Sequence, residues 1–209
     1  MFLVMKPTRS RLPTEDRQAE IVATVLRLAA ARAPGEITTG DIAQALALTQ
    51  GAVFRHFPTK EAIWLAAMDW VAQTLLAALE QAAAAAGNPL DALRGVFRAH
   101  VAFVQAWPGV PRLIFHQLQQ PDDTPVKARV RQLLLGYRAL VGRLLAQADA
   151  AGVLAPGLDR AAAAVLFIGS IQGLVMQSML AGSQQAMGEQ GERVLAMWLR
   201  AIRGVHETA

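Results

Sequence analysis

Between Thr38 and Lys60 the chain reads TTGDIAQALALTQGAVFRHFPTK, two short helical patterns separated by very few residues. In the first, Ile42, Ala43 and Leu46 recur at helical spacing, with Thr39 placed to cap and Asp41 in the positive first turn. In the second, Val53 and Phe57 stand four apart and share one face. Ala47-Leu48-Thr49 leaves room only for a tight turn, and Thr49 is placed to cap the second helix. Two short helices joined in this way form a helix-turn-helix, whose second helix is of a size to enter a DNA major groove.

The outward side of the second helix carries Thr49, Gln50, Gly51, Ala52, Phe54, Arg55 and His56. Gly51 and Ala52 are small enough for close approach to base edges, and Gln50 can pair with adenine. Thr49, Arg55, His56 and, at the start of the next helix, Lys60 can reach phosphates. With Thr38 and Thr39 heading the first helix, these are the candidate contacts to double-stranded DNA. A plain helical hairpin is the competing reading, although its solvent face more often carries Glu and Lys.

The run LTQGAVFRHFPTKEAIW resembles the signature of the TetR family of bacterial transcriptional regulators. There a small or hydroxylated residue, a Gly-Ala or similar pair, an aromatic, then His-Phe and Ser/Thr-Lys-Glu follow in this order. The likeness is close from Thr38 to Trp64, and chain length and helical plan fit beyond it. Two positions depart. Phe54 stands where the family usually has Tyr, so a phenol oxygen able to reach a phosphate is missing. Ala47 stands where the family usually has Gly, which costs up to about 1 kcal/mol if the backbone there takes a positive φ.

The resemblance implies an all-α chain in two parts. Residues 1–57 would form a three-helix DNA-binding domain, with 1–13 as a basic arm. Residues 58–209 would form a larger helical domain for effector binding and dimerisation. It also implies a cytoplasmic homodimeric repressor that a small, mostly apolar effector releases from a palindromic operator. Up to Lys60 there are 8 Lys+Arg against 5 Asp+Glu, so +3 of the net +4 charge sits in this first quarter. Lys6, Arg9 and Arg11 are either an arm reaching phosphates or the minor groove, or an ordinary solvated tail.

The spacing predicts further helices from Thr14 to Arg32, Thr59 to Ala86, Leu90 to Gln105, Pro111 to Gln119, Pro125 to Ala151, Asp159 to Ala181 and Met187 to Val205. If the middle helices enclose an effector, Phe97, His100, Phe103, Trp107, His116, Tyr137 and Gln172 are the candidate lining, aromatics with a few polar groups. The same residue types at helical spacing also describe plain core. The last two helices carry more apolar surface than a small bundle needs. Gly169 and Gly173 permit close helix contact, so these, with Met176, Leu195, Trp198 and Leu199, are the expected dimer interface. A two-fold dimer would set its reading helices one DNA turn, about 34–36 Å, apart.

Composition bounds the alternatives. With 54% hydrophobic and 17% charged residues the chain folds around a large core. Cysteine is absent, which removes disulfides, thiolate catalysis and zinc-finger chemistry. GxSxG, GxGxxG, HExxH and P-loop motifs are absent, and the four histidines show no i, i+4 pair, so neither an enzyme nor a metal or other cofactor is expected. Val165 to Leu180 is the one membrane candidate by composition; it is short of ~20 residues and carries Gln172 and Gln177. A helical protein-interaction adaptor without sequence-specific DNA binding would account for the C-terminal half but not for the outward set on the reading helix.

Overall fold

The computed structural model describes residues 13–182 and 185–204; the arm residues Lys6, Arg9 and Arg11 lie outside them. Nine helices form among the described residues: α1 (Thr14–Ala31), α2 (Thr39–Ala45), α3 (Gln50–Phe54), α4 (Lys60–Ala84), α5 (Pro89–Ala106), α6 (Gly109–Leu118), α7 (Pro125–Ala150), α8 (Arg160–Ala181) and α9 (Gln185–Ile202), with a short 3-10 turn at Pro34–Glu36. Their starts are written into the chain. Thr38, Thr49, Thr59, Asn88, Thr124 and Asp159 each accept a first-turn N–H through the side chain.

The expected cap of α2 shifts by one residue. Thr38, not Thr39, caps α2: its hydroxyl accepts Asp41 N–H at 3.1 Å while Asp41 Oδ2 accepts Thr38 N–H at 2.7 Å, a reciprocal capping box. Pro13 occupies the N-cap of α1, and Thr14 is its first helical residue. The helix expected from Pro111 begins at Gly109 instead. The reason is a close crossing, because a β-carbon at position 109 would overlap the Leu26 carbonyl oxygen of α1. At the other end α9 stops at Ile202, where Ala155 N–H donates to Ile202 O at 2.9 Å and Leu154 bridges Arg203.

One hydrophobic cluster runs through the whole bundle, from Ile21, Val25, Ile42 and Val53 to Phe167, Leu195 and Ile202. The long α4 packs on α1, α5 and α7 and so ties the first three helices to the rest. Both α4 and α8 are long and apolar enough to cross a membrane by composition, whereas composition along the sequence singled out only the second. Ile63, Met68, Val71 and Leu79 of α4, and Phe167 and Ile171 of α8, are nevertheless spent on the bundle core.

Candidate DNA-reading head and effector cavity

The reading helix α3 is held by the residues beneath and before it. Val53 is fully buried and Phe57 nearly so, which fixes the helix by its inner face. Before it, α2 ends in a Schellman turn: Leu48 N–H donates to Ala43 O at 2.8 Å and Ala47 N–H to Gln44 O at 3.1 Å. Ala47 sits there at φ 52°, the left-handed conformation that favours glycine. Arg32 Nη1 pairs with Asp41 Oδ1 at 2.8 Å and Nη2 donates to Glu36 O at 3.2 Å, pinning the α1–α2 connection. That guanidinium, with the Thr38 donors, holds the Asp41 carboxyl well below the usual carboxylate range.

Thr38, Thr49, Gln50, Gly51, Phe54 and Arg55 are exposed, and Ala52 and His56 are half-buried. Thr39 is different. It is buried, and its hydroxyl accepts Gln50 Nε2–H at 2.7 Å, so the Gln50 amide is anchored while its carbonyl oxygen carries no bond among the described residues. The His56 carbonyl accepts Gln18 Nε2–H at 3.2 Å, and its Nδ1 is buried without a partner among the described residues. Lys60 is also occupied: its ammonium donates to Gly35 O at 3.0 Å. The sequence offered Lys60 for a phosphate; the structure ties it to the turn before α2.

Of the seven residues expected around an effector, the structure brings four together. His100, Phe103, Tyr137 and Gln172 line a cavity of about 100 Å³ closed by Val110, Pro111, Ile114 and Phe115 of α6 and Leu133 and Leu134 of α7. Its polar centre is one pair. His100 Nδ1 lies 3.1 Å from the Tyr137 hydroxyl. Burial lowers His100 to about 4 and raises the Tyr137 phenol, so both are neutral at pH 7. With the phenol donating to Nδ1, the imidazole keeps an Nε2–H for a cavity guest. His100 retains some solvent exposure because its ring faces this hollow.

The other three point elsewhere. Phe97 packs edge-on against Phe167 at 5.5 Å in the core, and Trp107 against Trp70 at 4.6 Å. His116 faces the Gly35 turn, with Cε1 3.3 Å from where a Gly35 β-carbon would stand. The α6 and α7 aliphatics that form most of the cavity wall escaped sequence reasoning, since nothing distinguishes them from core.

The expected dimer residues also divide. Leu195, Trp198 and Leu199 are buried within the chain, Trp198 Nε1–H donating to Ala163 O at 3.2 Å, and so do not face a partner. Gly169, Gly173 and Met176 are exposed, and a β-carbon at either glycine would meet nothing. With Ala162, Leu166 and Leu180 they recur at alternating steps of four and three, an apolar stripe along the outside of α8. Leu166 is 63% exposed and Leu180 84%. A spacing of this kind is present in the sequence, where only Gly169, Gly173 and Met176 stand out from it; Ala162, Leu166 and Leu180 complete it.

A capped, core-anchored helix-turn-helix set on a helical bundle around an apolar cavity is the build of a DNA-binding regulator with a ligand domain. Residues 21–67 match the family profile described as bacterial regulatory proteins, tetR family, and residues 114–194 match that of the tetracyclin repressor-like C-terminal domain. The chain belongs to the TetR family of DNA-binding transcription regulators. Among relatives, the nucleoid occlusion factor SlmA of Marinomonas sp. (strain MWYL1) is 19% identical over 160 residues, 77% of this chain and 81% of that protein. The fatty acid degradation regulator FadR from Bacillus halodurans has a similar fold, with TM-score 0.79 at 16% identity over 94% of this chain and 100% of that one. FadR from Bacillus subtilis in complex with stearoyl-CoA gives 0.75 at 17%, covering 88% and 99%. At these identities the solved structures speak for the fold alone.

Proposed function

We propose that the chain is a cytoplasmic homodimeric repressor that holds a palindromic operator through paired α3 helices and leaves it when a mostly apolar effector enters the cavity. Residues 1–57 act as the reading part and 58–209 as the effector and dimer part. The observation that carries the reading is the orientation of α3. Val53 and Phe57 lock its inner face, and Gln50, Gly51, Phe54 and Arg55 are left for a groove. The α8 stripe supplies an apolar seam for a two-fold mate, which the reading of a palindrome needs.

The cavity suggests how release works. At about 100 Å³ it is below the ~300 Å³ of a ligand pocket, so a guest must widen it. Its movable wall is α6, and α6 begins at the Gly109 crossing on α1. Displacement of that wall is passed to α1 and so to the reading head. The coupling requires an effector that binds the widened state more tightly than the closed one. Stearoyl-CoA on the structurally similar B. subtilis regulator agrees with an apolar guest, while His100 and Tyr137 offer this chain one neutral polar anchor.

The test is selection from a pool of random duplex DNA at two salt concentrations, with sequencing of the bound fraction. A palindromic motif with salt-sensitive affinity is expected. Folded protein that enriches nothing at either salt would overturn the reading and favour the adaptor.

A further inference from the structure

Two residues that the sequence assigned elsewhere, Lys60 and His116, meet at a second hollow. A cleft of about 520 Å³ opens between the turn at Pro34 and Gly35, the start of α4, the end of α6 and the start of α7. One side is apolar, with Trp64, Leu65 and Val126. The other is rich in donors. The Lys60 ammonium donates one N–H to Gly35 O and bonds no other group among the described residues, which leaves two donors for the cleft. Gln117 is buried, only 8% exposed; its Oε1 accepts from the Thr124 hydroxyl at 3.3 Å, and its amide nitrogen has no partner among the described residues although it lines the cleft. That nitrogen is not one of the buried atoms left without a partner, so its N–H groups open into the cleft and can meet an acceptor there. Among the described residues the sole acid along the lining, Glu61, is exposed.

We propose that this cleft binds a small organic anion, a carboxylate on a ring-sized apolar body. The carboxylate lies between Lys60 and the Gln117 amide, and the body lies against Trp64 and Leu65. Free N–H groups at the start of α4 add to the preference for negative charge. Such a ligand joins α4 to α6, the wall of the effector cavity. It also holds Lys60 away from any DNA phosphate, a consequence that rests on the regulator reading, whereas binding itself does not.

The probe is 4-fluorobenzoate, observed by fluorine NMR on the full chain without DNA. Saturable binding is expected, with the uncharged 4-fluorobenzamide at least about tenfold weaker. Lys60→Met and Gln117→Leu should each weaken the benzoate about tenfold, with folding checked by circular dichroism. Gln117→Glu, which keeps a polar group but adds a like charge, should abolish it. Three results would overturn the site: no saturation up to about 10 mM; equal binding of the amide; or loss on His100→Leu with indifference to Lys60→Met and Gln117→Leu, which would put the probe in the effector cavity. Because DNA is absent, failure here leaves the duplex-selection result untouched, and the reverse also holds.

Discussion

The reading head and the effector core are built from the same kind of helix yet hold their functional side chains in opposite ways. In the head, short-range polar bonds set the geometry: the Thr38–Asp41 box, the Arg32–Asp41 pair, the Thr39–Gln50 bond and the Schellman turn at Ala47. In the core, aliphatic and aromatic packing does so, with the His100–Tyr137 pair and Gln172 among the cavity's lining. The difference teaches where each part can change. A polar scaffold keeps a small exposed surface in one shape for a fixed partner. An apolar wall such as α6 can slide, because its contacts are not directional.

The contrast is broken most severely where the two parts touch. Gly109→Ala forces a β-carbon onto the Leu26 carbonyl at the α1–α6 crossing. It should cost about 3 kcal/mol or more in chemical denaturation and loosen the head from the core. An unchanged midpoint would mean that the seam is soft.

Next comes the polar pair of the core. His100 is lowered to about 4, so below its ordinary value the unfolded chain takes up a proton that the folded chain refuses. Stability should therefore fall as pH drops from about 6.5 toward 4, by on the order of 3 kcal/mol. His100→Leu should flatten that slope in thermal melts across this window, whatever it does to the baseline. A slope that persists would place the titrating group elsewhere.

The smallest effect lies in the head. Ala47→Gly relieves a left-handed alanine and should raise stability by up to about 1 kcal/mol. Denaturation midpoints with equal slopes would show it, and a drop would mean that the turn is unstrained.

Much of the head was legible in the sequence for a physical reason. The order of small, aromatic and basic residues from Gln50 to His56 marked the reading segment, and Val53 with Phe57 announced its inward side, although Arg55 caps the helix and His56 lies in the turn after it. Even the departure at Ala47 had a readable consequence, since its φ is positive. What the sequence misjudged there were partnerships: Thr39 is an acceptor for Gln50 and not a cap, and Lys60 reaches back to Gly35. In the core legibility falls away, because a residue beside a cavity and one beside another side chain have the same chemistry. Phe103 and Phe97 look alike in the chain, yet one borders the hollow and the other fills the core. Trp198 and Leu166 show the same limit on the last two helices, the larger side chain being buried and the smaller exposed.

The most direct test of the account compares Gln50→Ala with Arg55→Ala on the selected duplex and on single-base variants of it, over a range of salt. Gln50→Ala should lose discrimination at one base position in each half-site, worth about 1–3 kcal/mol. Arg55→Ala should weaken every duplex alike and reduce the salt dependence by about one charge. If the two variants lose affinity alike and keep the same base preferences, α3 does not read the groove and the central claim fails.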